Sequence, residues 1–223
     1  HEIPVRQVTY MSGTKQFFND DPDDTVMHPT SRELFRIWER IRGEEAAPLR
    51  SNVTMRELIA IVPWVSILHR DPHNMSYVYR LAGSALCETM GRQLTGTTAF
   101  DDWPNFDRET VVRGLDTVVG MKQPCVGRFL AHSFGGREVG FELAAVPIMS
   151  ANGTDVHAMV TIAPFRDARG IVEDPLVGFK VRKIRILWSD QLPGKPVSRP
   201  ISSSDEVRRI NSSFLRVIDG GKA

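Results

Sequence analysis

The chain has 223 residues, 41% hydrophobic and 25% charged, an ordinary globular composition that supplies one core and argues against wholesale disorder. Lys and Arg total 28 against 27 Asp and Glu, so no long-range field draws the molecule to nucleic acid or an anionic membrane, and neither is expected as a partner. Its two cysteines, Cys87 and Cys125, have no CxxC spacing; this excludes a disulfide framework or structural zinc site and fits a reducing cytoplasm, while no run approaches the roughly 18 apolar residues that span a bilayer.

The start at His1 carries no signal-peptide core, Met11 is a candidate natural start, and residues 1–10 are given no functional weight. Residues 1–28 read as a flexible arm, because Asn19-Asp20-Asp21-Pro22-Asp23-Asp24 clusters like charges around a proline. Thr30 and Glu33 form a capping-box pattern, after which Leu34, Ile37, Trp38 and Ile41 recur at helical spacing until Gly43. A second such pattern, Thr54 with Glu57, opens a shorter helix predicted over residues 55–62 and stopped by Pro63.

Val65, Ile67 and Leu68 begin a strand that ends at the turn formers Asp71-Pro72-His73-Asn74, and residues 76–82 return as its hairpin partner. A short helical segment follows over 84–90. Residues 107–119 make a long helix whose stripe is Val111, Val112, Leu115, Val118 and Val119. Three β-rich runs, 126–134, 138–149 and 155–165, are separated by Gly135-Gly136 and Asn152-Gly153, the chemistry of tight hairpins. The sum is an α+β domain over 29–167, a five-stranded antiparallel sheet with helices on one face behind N-terminal helices. Residues 168–223 read as an extension: a basic apolar segment at 180–188, a Pro/Ser-rich linker at 192–204, and an amphipathic helix. In that helix Ser203 and Glu206 cap, and Ile210 and Phe214 are the candidate interface anchors for self-association.

The order of two strands, helices and three strands is the PAS order. Four segments sharpen it: residues 34–43 (Leu34-Phe35-Arg36-Ile37-Trp38 to Gly43), Pro48-Leu49-Arg50-Ser51, Tyr79-Arg80-Leu81-Ala82-Gly83-Ser84, and Gly91-Arg92-Gln93-Leu94-Thr95-Gly96. Together these resemble a PAS-like family of small stand-alone proteins found mainly in alphaproteobacteria, over residues 31–165. The resemblance implies a PAS core with the last meander strand beside the first strand, a role in signalling, and no catalytic residues.

His69, Asp71 and His73 are the nearest to a metal set, but they fall on a strand end and a proline turn and lack a completing motif, so no metal is assigned. His132 and His157 are the candidate axial donors for a haem of the kind some PAS sensors carry. No serine sits in a nucleophile elbow, and Cys87 reads as a packed thiol. Arg80 interrupts the apolar strand 77–82; it either pairs with Glu57, Glu88 or Asp101, or clamps an anion at a pocket edge. Arg92 is expected to hold the 91–96 loop. Tyr79, Arg80, Cys87, Met90, Trp103, Phe129, Phe141 and Met159 are the candidate ligand-lining residues, with Trp64 beside them; no tightly bound cofactor is implied. The expected function is a non-catalytic sensory module acting through a small molecule, another protein or homodimerisation, the alternative being a small hydrolase or isomerase.

Overall fold

The computed structural model describes residues 27–165, 174–188 and 192. Most of the segment read as an N-terminal arm, most of that read as a linker, and the segment read as a C-terminal helix with Ile210 and Phe214 lie outside them. Helix α1 (Pro29–Arg42) buries Leu34, Phe35, Ile37 and Trp38 on one stripe and ends at Gly43, whose φ of +58° suits a residue without a side chain. It starts earlier than the Thr30 pattern predicts. His28 is the cap, its Nδ1 accepting the Thr30 N–H at 3.1 Å, and Pro29 fills the first helical position, where no N–H is needed; Glu33 binds Arg36 instead.

A 3-10 turn at Arg50–Asn52 leads to α2 (Met55–Leu58), which begins with the Thr54–Glu57 capping box as expected. The helix is one turn long rather than two. Ile61, at φ −124° and ψ −3°, has left the helical region, and a 3-10 turn at Val62–Trp64 takes over, with Pro63 in its first turn where no helical N–H is needed.

Strands β1 (Val65–Asp71) and β2 (Ser76–Leu81) form the hairpin. Asp71 shapes its turn by accepting from the His73 N–H and the Asn74 amide, both at 2.9 Å. Pairing steps from Leu68–Tyr79 to Ile67–Leu81, which leaves Arg80 as the extra residue of a β-bulge. Two helices follow, α3 (Ser84–Thr89) and α4 (Asn105–Met121). The meander is β3 (Cys125–Ser133), β4 (Glu138–Met149) and β5 (Val156–Pro164), its turns closed by Gly136 and Gly153 at positive φ.

The sheet has six strands where five were expected. The sixth, β6 (Leu176–Ile186), begins ahead of the 180–188 segment read as basic and apolar and runs into it; it pairs antiparallel with β3 and bulges at Arg182, between the Arg128–Lys183 and Phe129–Val181 pairs. Strand order is β2-β1-β5-β4-β3-β6, so β5 does lie beside β1. Helices α3 and α4 cover one face, as expected. The N-terminal helices cover the other, and two hydrophobic clusters result, one on each side of the sheet.

Alternation along β4 makes the division plain: Phe141, Leu143 and Ala145 face the α4 side, while Glu142, Ala144, Val146 and Ile148 face α1. Pro147 is tolerated in this interior strand because β3 pairing has ended at Ala145. Its carbonyl accepts the buried Trp38 indole N–H at 2.8 Å. Farther along the same edge the Met149 N–H donates to Pro48 O at 2.9 Å. The start of α1 is fastened by Glu142, 1% exposed, which accepts the His28 N–H at 2.7 Å and lies 3.3 Å from the Arg128 guanidinium.

Candidate functional site

Between α3, α4 and the sheet lies the space the sequence nominates for a ligand, and buried aromatic side chains pack together in it. Trp103 stacks on Phe179 at 4.9 Å and leans on Phe129 at 4.7 Å, and Phe129 stacks on Phe141 at 5.1 Å. Phe100 closes the cluster edge-on against Trp103 at 5.1 Å. Tyr79 and Cys87 are buried in the same cluster and Met90 packs on its rim, so the structure does bring six of the nominated residues together. Burial raises the Tyr79 hydroxyl pKa and pushes the Cys125 thiol up to about 12, which keeps both protonated and unreactive. Phe179, from β6, was not nominated, because its strand was not recognised.

Polar ties fix this arrangement. The buried Tyr77 hydroxyl donates to Asp116 of α4 at 2.9 Å, and Arg70 pairs with the same carboxylate at 2.9 Å. Asp107 accepts the Val181 N–H of β6 at 2.7 Å. Arg92 pairs with Asp102 at 3.2 Å, consistent with its expected hold on the 91–96 loop, and the Gly96 N–H donates to Tyr79 O at 2.7 Å.

The remaining nominations separate. Met159 points to the α1 side, since β5 alternates and Ala158 and Val160 take the aromatic side. Arg80 is exposed on its bulge and makes none of the expected ion pairs: Glu57 goes to Arg40, Asp101 to Arg108, and Glu88 is exposed. His132 binds Glu138 at 2.9 Å, and both it and His157 alternate away from the aromatic space, so neither is placed as an axial donor inside it. Asp71 is committed to its turn, and among the described residues no three His, Cys, Asp or Glu side chains group as metal ligands.

An open pocket of about 410 Å3 lies on the α1 side instead. Its floor is the row Leu81, Ile67 and Met159 across β2, β1 and β5, with Ile148 beyond, and its cover is Val53, Met55, Leu58 and Val62. The β2 bulge turns Leu81 onto this floor. Arg50 is the one charged residue in the lining. It is placed there by the Pro48–Met149 hydrogen bond and by the parallel bridge of Leu49 to Met149. Gly83 forms a corner by lying directly on Pro63, where an added Cβ would come 2.2 Å from the carbonyl oxygen. Two of the four sequence segments, 48–51 and 79–84, therefore build this pocket, although only Met159 of its lining was nominated.

Next to the floor runs a second row, His69 on β1 and His157 on β5, with ring centroids 6.5 Å apart. Burial holds His157 below its ordinary pKa, His69 adds like-charge repulsion, Asp155 opposes it, and Arg80 and Arg50 repel more weakly.

Residues 26–163 match the family model of the PAS domain. The chain belongs to the PAS domain family, whose members are sensory and regulatory modules. Among solved structures it is similar to a light-oxygen-voltage domain studied with a flavin analogue, with a TM-score of 0.39 and 11% identity over 53% of this chain and 90% of that one. It is also similar to Vibrio cholerae VqmA in a complex with ligand and DNA, with a TM-score of 0.37 and 16% identity over 50% of this chain and 51% of that one. The VqmA dimer without target DNA gives a TM-score of 0.37 and 17% identity, over 52% of each chain. The matched region thus spans about half the length of VqmA. No curated protein matches the sequence.

Proposed function

We propose that the chain is a regulatory module that binds a small molecule without transforming it and passes its state on by contact with a protein, a second copy of itself included. The observation that carries this is the open pocket, apolar, with Arg50 its only charged lining and Ser84 the only hydroxyl there without an imidazole or carboxylate to activate it. Such a wall binds; it has no pair of groups to move a proton. The near balance of acidic and basic residues supports a small-molecule or protein partner over nucleic acid, and the paucity of cysteine supports a cytoplasmic setting.

The test is turnover. Carboxylic esters, phosphate monoesters and cyclic nucleotides incubated with the full chain should stay at background rates. Turnover of any of them that a single substitution abolishes would overturn the reading in favour of a hydrolase.

A further inference from the structure

The pocket on the α1 side is chemically graded. Val53, Leu58, Val62, Val65, Ile67, Ile148 and Met159 make most of its surface, and Arg50 stands alone as the cation. The surroundings share that sign: Arg50, Arg80 and His69 all act on His157 as like charges, and Asp155 is the carboxylate that opposes them. Nδ1 of His69 and Nδ1 of His157 are buried without a hydrogen-bond partner. Among the described residues no carboxylate pairs with Arg50 or Arg80. The Arg50 guanidinium, exposed to water and without a carboxylate partner among the described residues, sets a planar fork that suits an anion beside walls that suit hydrocarbon.

We propose that this pocket binds a single-chain amphiphile with an acid headgroup, its hydrocarbon against Val65, Ile67, Ile148 and Met159 and its carboxylate on the Arg50 guanidinium. This rests on the small-molecule reading above and gives it a chemical class. A volume of about 410 Å3 is near the lower end of the roughly 300–1,000 Å3 usual for ligand sites, which suits a medium-length chain better than a large ring cofactor. One cation in the lining answers one negative charge. Met55, 66% exposed, and Leu81, 40% exposed, flank the opening, so a ligand chain would cover apolar surface now in water.

The test is calorimetric titration of the full chain with decanoate, decanol and decyltrimethylammonium. Decanoate should bind about tenfold or more tighter than decanol, as a charge-assisted hydrogen bond provides, and the cation should not bind. Arg50→Gln should erase the decanoate preference and leave decanol unchanged. Val53→Trp, which fills the pocket from a half-buried loop position, should abolish binding of both; Ser84→Trp, from an exposed wall position, repeats the blockade should the first variant melt early. Equal affinity for all three probes, or a decanoate preference that survives Arg50→Gln, overturns the acid class. Binding that survives both tryptophans overturns the site. Failure of every probe to bind overturns this proposal while the regulatory reading still answers to turnover alone.

Discussion

On the α4 side of the sheet, Trp103, Phe129, Phe141 and Phe179 pack ring against ring at 4.7–5.1 Å; on the α1 side, Leu81, Ile67, Met159 and Ile148 floor an open pocket. The strands are shared, so the contrast comes from what covers them. Helix α4 runs 17 residues across the sheet and brings Gly114 against Ile184 of β6, where an added Cβ would lie 3.2 Å away. Over the pocket the cover is α2, one turn of 4 residues between two 3-10 turns. A long helix laid close to a sheet expels everything but side chains, whereas a broken one leaves room.

The comparison predicts unequal costs on the two sides. Phe129→Ala removes a fully buried ring from the aromatic cluster and should cost about 3–5 kcal/mol, whereas Leu81→Ala, at the exposed end of the floor row, should cost about 1 kcal/mol or less. Urea unfolding of the two variants checks this, and equal costs would break the contrast. Gly83→Ala comes next, at about 1–3 kcal/mol, since the new methyl must push the Pro63 carbonyl aside. Because Gly83 also forms a corner of the pocket, this variant should change ligand affinity as well as melting temperature.

A smaller effect follows from the histidines. Burial is the first cause that holds both His28 and His157 below their ordinary pKa of 6.5, with like charge adding at His157 and Glu142 opposing at His28. The unfolded chain therefore binds more protons than the folded one just below that value. Stability is full above about pH 6.5 and declines as the pH falls through the depressed folded values. Melting temperature measured from pH 8 to pH 5 should decline in that window, and replacing both histidines with glutamine should flatten it. The smallest effect belongs to Arg80→Ala. With its side chain exposed on a bulge and unpaired among the described residues, the change should stay within about 0.5 kcal/mol, and a loss near 3 kcal/mol would show a buried partner after all.

Much of the frame was legible because period and punctuation agree. The Leu34 to Trp38 stripe, the Asp71 turn, and the Gly136 and Gly153 hairpins each declare themselves within a few residues. Strand β6 was hidden because its bulge at Arg182 breaks the two-residue alternation and its charges mask the Phe179, Val181, Ile184 and Ile186 series. The same kind of break disguised Arg80, where a charge inside an apolar run is the extra residue of a bulge rather than half of a buried pair. The nominated Tyr79, Trp103, Phe129 and Phe141 lie in one buried cluster, yet composition alone does not say whether such a cluster is solid or hollow. Nor could it reveal the pocket, whose lining comes from segments as distant as Arg50, Leu81 and Met159 and is assembled only by strand register.

The division of labour between the faces is tested most directly by following decanoate into the full chain with side-chain-resolved NMR. The account predicts shifts at the methyl groups of Ile67, Ile148 and Met159, with the Trp103 indole and the Phe129 and Phe141 rings unmoved. Shifts centred on Trp103 and Cys87, with Met159 silent, would contradict it and return the ligand to the aromatic side of the sheet.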